Sequence, residues 1–266
     1  MTAAPLSLDR VLRALEEIAP LALAESWDNV GLLVPPSDAS RSIGRVFFAI
    51  DLTEPVLAEA LSQKADLIVA YHPVIFEGKK RFAPDRAADR VVLAAIRAGV
   101  PVHCPHTSLD VAKGGINDWL CEGIGEGTIA PLEPRLDDKA AGVGRAMELP
   151  VAEALDVIVA RLKKHLGVER LRVARAGDNA VRSVALCAGA GGAVLAKAGH
   201  VDLVVTGEMR HHDVLTRVAA GTHVILAEHS SSERGFLHVY AKRLAALVPG
   251  LVTVVSERDR EPLVSI

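Results

Sequence analysis

Four short stretches of this sequence gather residue types that hold divalent cations or move protons. They are YHPVIF (71–76) with His72, HTSLD (106–110) with His106 and Asp110, GEMRHHD (207–213) with Glu208, His211 and His212, and HSSSERG (229–235) with His229 and Glu233. Imidazole nitrogens and carboxylate oxygens without thiolate suit Zn, Mn, Fe or Co, and a carboxylate can bridge two such ions. One His-x-x-x-acid pair alone says little, because positions i and i+4 share a helix face and often form only a surface hydrogen bond. Two such pairs, His106 with Asp110 and His229 with Glu233, together with a His-Pro turn at His72, make a metal site the expectation. Glu208, His211 and His212 are candidates to take or give a proton beside it. Lys79, Lys80 and Arg81, and Arg234 after Glu233, read either as a solvated basic face or as a clamp for an anionic substrate group.

Such residues need a scaffold that brings them to one edge. Apolar runs at 45–50, 66–70, 100–104, 143–149, 182–188, 202–206, 223–227 and 251–255 read as strands, and helical spacing of apolar residues lies between many of them, as in Val11, Leu12, Leu15 and Ile18 or Leu155, Ile158, Leu162 and Leu166. Alternation of strand and helix predicts an α/β layered fold. In such sheets ligands collect beyond the carboxyl ends of the strands, and Asp51, His72, His106, Glu208 and His229 all follow predicted strands. The two halves also echo each other. RVFFAIDLTEPVLAEALSQKADLIVA (45–70) resembles RSVALCAGAGGAVLAKAGHVDLVVT (182–206), with Asp66 and Asp202 in matching places, and GVPVHCPHTSLD (99–110) parallels GTHVILAEHSSSE (221–233). A pseudo-repeat of two related α/β domains is the expectation, with LEPRLDDKAAG (132–142) as the connector.

Composition narrows the function. Half of the 266 residues are hydrophobic and 24% are charged, with a formal net charge of -3, which fits a packed protein and argues against a dedicated nucleic-acid coat. Five Phe, two Tyr and two Trp leave little material for stacking on single strands. Cys104, Cys121 and Cys187 match neither a disulfide framework nor a Cys-x-x-Cys knuckle, and read as reduced thiols; Cys104 has no partner that would make it a nucleophile. The opening MTAAPLSLDR lacks a basic stretch leading into an apolar one, and no apolar run reaches the roughly 18 residues that a membrane span needs. A cytoplasmic protein with no membrane association is expected. His103, His165, His200, His223 and His238 read as structural or surface residues.

Together, ESWDNVGLLV (25–34), YHPVIF, HTSLD, GEMRHHD and HSSSERG make the sequence resemble the NIF-three-like family, whose members are often labelled GTP cyclohydrolase 1 type 2 homologues. The resemblance spans almost the whole chain. It implies two related three-layer α/β/α domains, 1–130 and 131–266, with a dinuclear metal centre in the cleft between them and a C-terminal segment from about residue 229 that packs back on the first domain. A homohexamer is implied as well. The ligands it implies are His72, Asp110, His229 and Glu233, holding one or two divalent cations. Many relatives carry two consecutive histidines where this chain has Tyr71 and His72, and a phenol is a poorer ligand than imidazole at neutral pH; a second ion would then be weak, absent, or held by His106, Glu208 or His212. Trp27, in the loop with Asp28 and Asn29, is either a packing anchor or a stacker for a base. The implied activity is metal-dependent hydrolysis, of a nucleotide such as GTP by attack at C8 or of another phosphoester, with Lys80 and Arg234 binding the anionic part. The alternative is a metal-binding interaction or chaperone-like oligomer that turns over nothing. No Walker loop is present, since AGAGG (188–192) lacks the Lys-Ser/Thr ending.

Overall fold

The computed structural model describes residues 6–38 and 40–263, so residues 1–5 of the opening stretch read above for a leader lie outside the described residues. From the amino end the elements are α1 (Leu8–Ile18), β1 (Gly31–Val34), β2 (Arg45–Ala49), α2 (Glu54–Ser62), β3 (Leu67–Ala70), α3 (Ala87–Ala98), β4 (Val102–Cys104), α4 (His106–Val111), α5 (Ile116–Glu122), β5 (Thr128–Pro134) and β6 (Gly142–Glu153). They continue with α6 (Leu155–Leu166), β7 (Arg172–Ala174), β8 (Val181–Cys187), α7 (Gly192–Leu195), β9 (Leu203–Thr206), α8 (His211–Ala219), β10 (His223–Leu226), α9 (Phe236–Leu247) and β11 (Val252–Val255). The chain divides into two compact units, residues 1–109 with 237–260, and residues 110–236 with 261–266. Each is built on its own mixed sheet.

In the first unit the sheet order is β1-β4-β3-β2-β11. β2, β3 and β4 are parallel, and β11 pairs parallel with β2. All four residues of Leu67–Ala70 and all three of Val102–Cys104 are buried, as expected of strands covered on both faces. α2 and α3 supply one cover: Val56, Leu57, Ala60, Val91, Val92 and Ala95 pack into a cluster with Phe47, Ile68 and Val102. Gly99 ends α3 in the left-handed conformation, φ +66, which costs glycine nothing and turns the chain into β4. Ser7 caps the other helix of this unit's start, its Oγ accepting from the Arg10 amide at 3.3 Å.

The second unit has the order β5-β6-β8-β9-β10-β7. β8, β9 and β10 are parallel, while β7 runs antiparallel to β10, and β6 antiparallel to β8. The first sheet reads β1, β4, β3, β2 and the second reads β7, β10, β9, β8, the same succession of edge, third, second and first strand. The echo at Asp66 and Asp202 has a structural basis. Asp66 Oδ2 accepts from the amides of Gly44 and Arg45 at 2.9 and 3.0 Å, and Asp202 Oδ2 accepts from Arg182 and Ser183 at 2.9 and 2.8 Å, so each carboxylate pins the start of the neighbouring strand.

Two sequence expectations are corrected. Residues 132–142 are not a connector: they close the β5–β6 hairpin, where the Arg135 amide donates to Ala141 O at 2.9 Å. Residues 110–130 belong with the second unit rather than the first. Asp118 binds the guanidinium of buried Arg145, Arg145 also donates to Ala112 O, and Asn117 Oδ1 accepts from the Ala188 amide at 2.9 Å, so this stretch is tied to β6 and β8. No helix among the described residues is long and apolar enough to cross a membrane. All three cysteines are buried free thiols, and burial pushes Cys121 up to about 12 and Cys104 and Cys187 upward as well, which leaves none of them a nucleophile at neutral pH.

Candidate metal centre

In the first unit the β2–β3 ladder continues past the strands. The Tyr71 amide donates to Ala49 O at 2.8 Å and the His72 amide to Ile50 O at 3.0 Å, which sets His72 beside Asp51. Asp51 Oδ1 lies 2.9 Å from His72 Nδ1. An ionised carboxylate only accepts, so Nδ1 carries the proton and Nε2 presents a lone pair, the tautomer a metal ligand needs. The Asp51 segment is itself held: Asp259, from the C-terminal part of this unit, accepts from the Ile50 amide at 2.6 Å.

One strand over, His106 leaves β4 with φ +31, a left-handed conformation costly for a non-glycine residue. Its Nδ1 lies 2.8 Å from Asp28 Oδ1, and Asp28 Oδ2 accepts from the Thr107 amide at 3.1 Å and from Thr107 Oγ1 at 2.5 Å. Burial disfavours ionisation of Asp28, but the bonds from His106 and Thr107 outweigh it and hold the carboxyl at about 2.

The second unit repeats the device at His229. Its Nδ1 lies 2.9 Å from Glu208 Oε1, and the preceding residue, Glu228, has φ +63. His229 Nε2 then faces Glu233 Oε1 at 3.5 Å, and the Glu233 side chain is buried. A lone pair on Nε2 and a carboxylate oxygen at that distance repel unless a cation or a proton lies between them, so the pair has the chemistry of a cation site. Gly189 makes room for it. A Cβ at this position would stand 2.5 Å from Glu233 Oε1 and 3.1 Å from His229 Nε2, and its φ of +63 favours glycine besides. The Gly189 amide donates to Ser232 Oγ at 2.8 Å, which in turn donates to His229 O at 2.6 Å. Gly189 was visible in the sequence only as part of AGAGG; nothing in a single glycine between alanines announces that it makes room for the carboxylate of Glu233, more than forty positions past it.

In the first unit His72 is thus oriented as a candidate ligand, and in the second unit His229 and Glu233 pair as candidate ligands. All three are among the four ligands that the resemblance implied. Asp110 is the fourth. It sits in α4, its carbonyl accepts from Asn117 Nδ2 at 3.1 Å, and its charge acts with that of Glu233 to raise the Cys187 thiol, behind the larger effect of burial. Glu208 Oε1 lies 2.9 Å from His229 Nδ1, while His211 and His212 are exposed at the head of α8 with rings 5.4 Å apart. Tyr71 is buried, its ring 5.0 Å from that of His72. Lys79 is committed to the fully buried Asp89 at 2.5 Å; Lys80 is exposed, and Arg234 donates to Ser230 Oγ at 2.8 Å. Trp27 is exposed and is no packing anchor.

Two mixed α/β units, each with a carboxylate-oriented histidine at a strand end, and in the second a buried glutamate facing that histidine, define a class: α/β proteins with candidate divalent-cation ligands. The particular family follows from comparison. The profile of the Duf34/NIF3 (NGG1p interacting factor 3) family matches residues 6–262, and the chain belongs to that family. It is 39% identical over 263 residues to NIF3-like protein 1 of Drosophila melanogaster, covering 97% of this chain and 89% of the relative. It is 36% identical over 277 residues to NGG1-interacting factor 3 of Saccharomyces cerevisiae, covering 96% of each. Its fold is that of a Staphylococcus aureus hypothetical protein, with a TM-score of 0.88 at 22% identity over 99% of this chain and 100% of the other.

Proposed function

We propose that this protein is a metal-dependent hydrolase in which His72, His229 and Glu233 hold a divalent cation. The observation that carries the reading is the matched orientation of the two imidazoles, each with Nδ1 on a carboxylate, together with the buried Glu233 carboxylate that faces His229 Nε2 at 3.5 Å. Bound there, Zn, Mn, Fe or Co would supply Lewis acidity and a water of lowered pKa. Asp51 and Glu208 position the histidines and raise their basicity. Asp110 is the further ligand suggested by the resemblance, and with it a second ion. His211 and His212 are the groups proposed to exchange protons, and Lys80 and Arg234 those proposed to hold an anionic portion of the substrate. A nucleotide such as GTP is the proposed substrate on the strength of the resemblance alone.

The test loads purified protein with each metal in turn and assays a panel of nucleotides and phosphoesters, with Glu233→Ala as control. Turnover that depends on the added metal and vanishes in Glu233→Ala is the expected result. Metal bound at one or two ions per chain without turnover of any panel member would favour the non-catalytic binding role instead, and turnover that survives Glu233→Ala would assign the activity to another site.

A further inference from the structure

Trp27 and Phe76 are 59% and 50% exposed in a chain with only nine aromatic residues. Their ring centroids lie 6.1 Å apart, and both meet the His106 ring nearly edge-on, at 6.1 Å and 79° and at 6.4 Å and 82°. Hydrogen bonds stiffen the loops that carry them. Asn29 Nδ2 donates to Ile75 O at 2.5 Å, and Asp28 is held by His106 and Thr107. Two large apolar side chains thus stand in solvent on a preformed frame, an arrangement that serves recognition better than folding. Because ionised Asp28 accepts a hydrogen bond from the Nδ1–H of His106, His106 Nε2 is an acceptor, and among the described residues no donor reaches it. The His72 ring stands 5.5 Å from that of His106.

We propose that Trp27, Phe76 and His106 form a subsite for a planar nitrogen heterocycle that carries an N–H on its edge. The ring stacks on the exposed indole face, with the Phe76 ring, inclined at 67° to the indole, against its edge, and donates its N–H to His106 Nε2, which brings it alongside His72. The inference builds on the hydrolase reading, for which it names the ring class of the substrate. A second copy of the chain is a poorer occupant: a stable interface needs about 800 Å² from each partner, and two aromatic side chains supply roughly 150–250 Å² each.

The experiment titrates the full-length protein, in EDTA, with theophylline and with caffeine, the same fused ring system with the imidazole N–H replaced by N-methyl. Binding is followed by calorimetry and by tryptophan emission, in which Trp27 is the exposed and Trp119 the buried fluorophore. Theophylline is expected to bind saturably and to quench Trp27, with caffeine about tenfold weaker for want of one hydrogen bond. Trp27→Leu should weaken theophylline by about tenfold or more, and His106→Leu should bind the two xanthines alike. No saturable theophylline binding to protein shown folded by circular dichroism would overturn the proposal. So would equal affinities for the two ligands in the parent, undiminished binding in Trp27→Leu, or emission that shifts with protein concentration alone, which would make a second copy the occupant. Omitting metal separates the two readings: ring binding without turnover in the loaded protein removes the hydrolase and keeps the subsite, whereas turnover without ring binding does the reverse.

Discussion

In the first sheet the middle parallel strand, β3, leads to the ligand candidate His72, the second residue past it, and the third strand, β4, leads to His106, whose orienting carboxylate is Asp28 from the loop before β1. In the second sheet the middle strand, β9, leads to the orienting carboxylate Glu208, and it is the histidine after the third strand, His229, that faces a further ligand. The strand orders match; the chemical parts have changed places. A repeated α/β frame therefore fixes where polar side chains emerge, at one edge of parallel strands, but leaves open which of them binds and which positions. Strain follows the frame as well, since His106 and Glu228, both just beyond the third strand, have φ of +31 and +63.

The comparison can be broken most sharply at the ligands. Glu233→Gln should lower cation affinity by about a thousandfold, a loss of about 4 kcal/mol of the order expected for one of four ligands to a structural zinc, while His106→Gln leaves the ion in place; elemental analysis after dialysis reads both. An ion lost equally from both variants would mean that the third-strand histidines have the same job. Next in size is a difference between the buried histidines of β4 and β10. His223 is satisfied, its Nδ1 accepting from the Ala176 amide at 3.0 Å, whereas among the described residues no hydrogen bond reaches His103 Nδ1, and burial lowers that group to about 4. As pH falls below about 6.5 the unfolded chain takes up the proton first. Stability is thus complete above that pH and should decline by about 3 kcal/mol by pH 4. Urea unfolding at several pH values should show this decline, and His103→Leu should flatten it; an unchanged slope in the variant would shift the acid sensitivity elsewhere.

A finer contrast lies in the two orienting carboxylates. Asp51→Asn and Glu208→Gln should each weaken the cation by about ten- to a hundredfold in calorimetry, and an effect from only one would show that the two imidazoles are not equally dependent on their partners. The smallest expected effect tests the shared frame itself. Asp66→Ala and Asp202→Ala each free two strand amides and should cost about 1–2 kcal/mol in chemical denaturation, similar for both if the echo in the sequence is structural.

How much of this was written in the sequence depends on burial. The eight strand segments read from apolar runs all form strands: seven are parallel strands, most of them buried as continuous stretches of Val, Ile, Leu and Ala, and the eighth, β6, is antiparallel but lies inside its sheet between β5 and β8. The strands that escaped, β1, β5 and β7, are antiparallel edges, and they are short or part-exposed, so their residues carry no such run. At the site, type and spacing put His72, His229 and Glu233 in a wider pool with His106, Asp110, Glu208, His211 and His212, and only the resemblance singled them out, together with Asp110. Asp28 was legible only as a neighbour of Trp27, and Asp51 only as a polar residue after a strand. Their partners lie 78 and 21 positions away, a pairing that exists only once strands are laid side by side.

The first unit's sheet is completed by a strand from far along the chain. β11 lies beside β2, and Asp259 grips the backbone at Ile50. The nascent chain must therefore keep Arg45–Ala49 without this edge partner while some two hundred further residues are made, and the loop bearing Asp51 gains its brace only after that. Maturation of the His72 end is in this way timed by translation: a chain interrupted between α9 and β11 would carry every one of the three ligand side chains and still lack the brace that steadies the first.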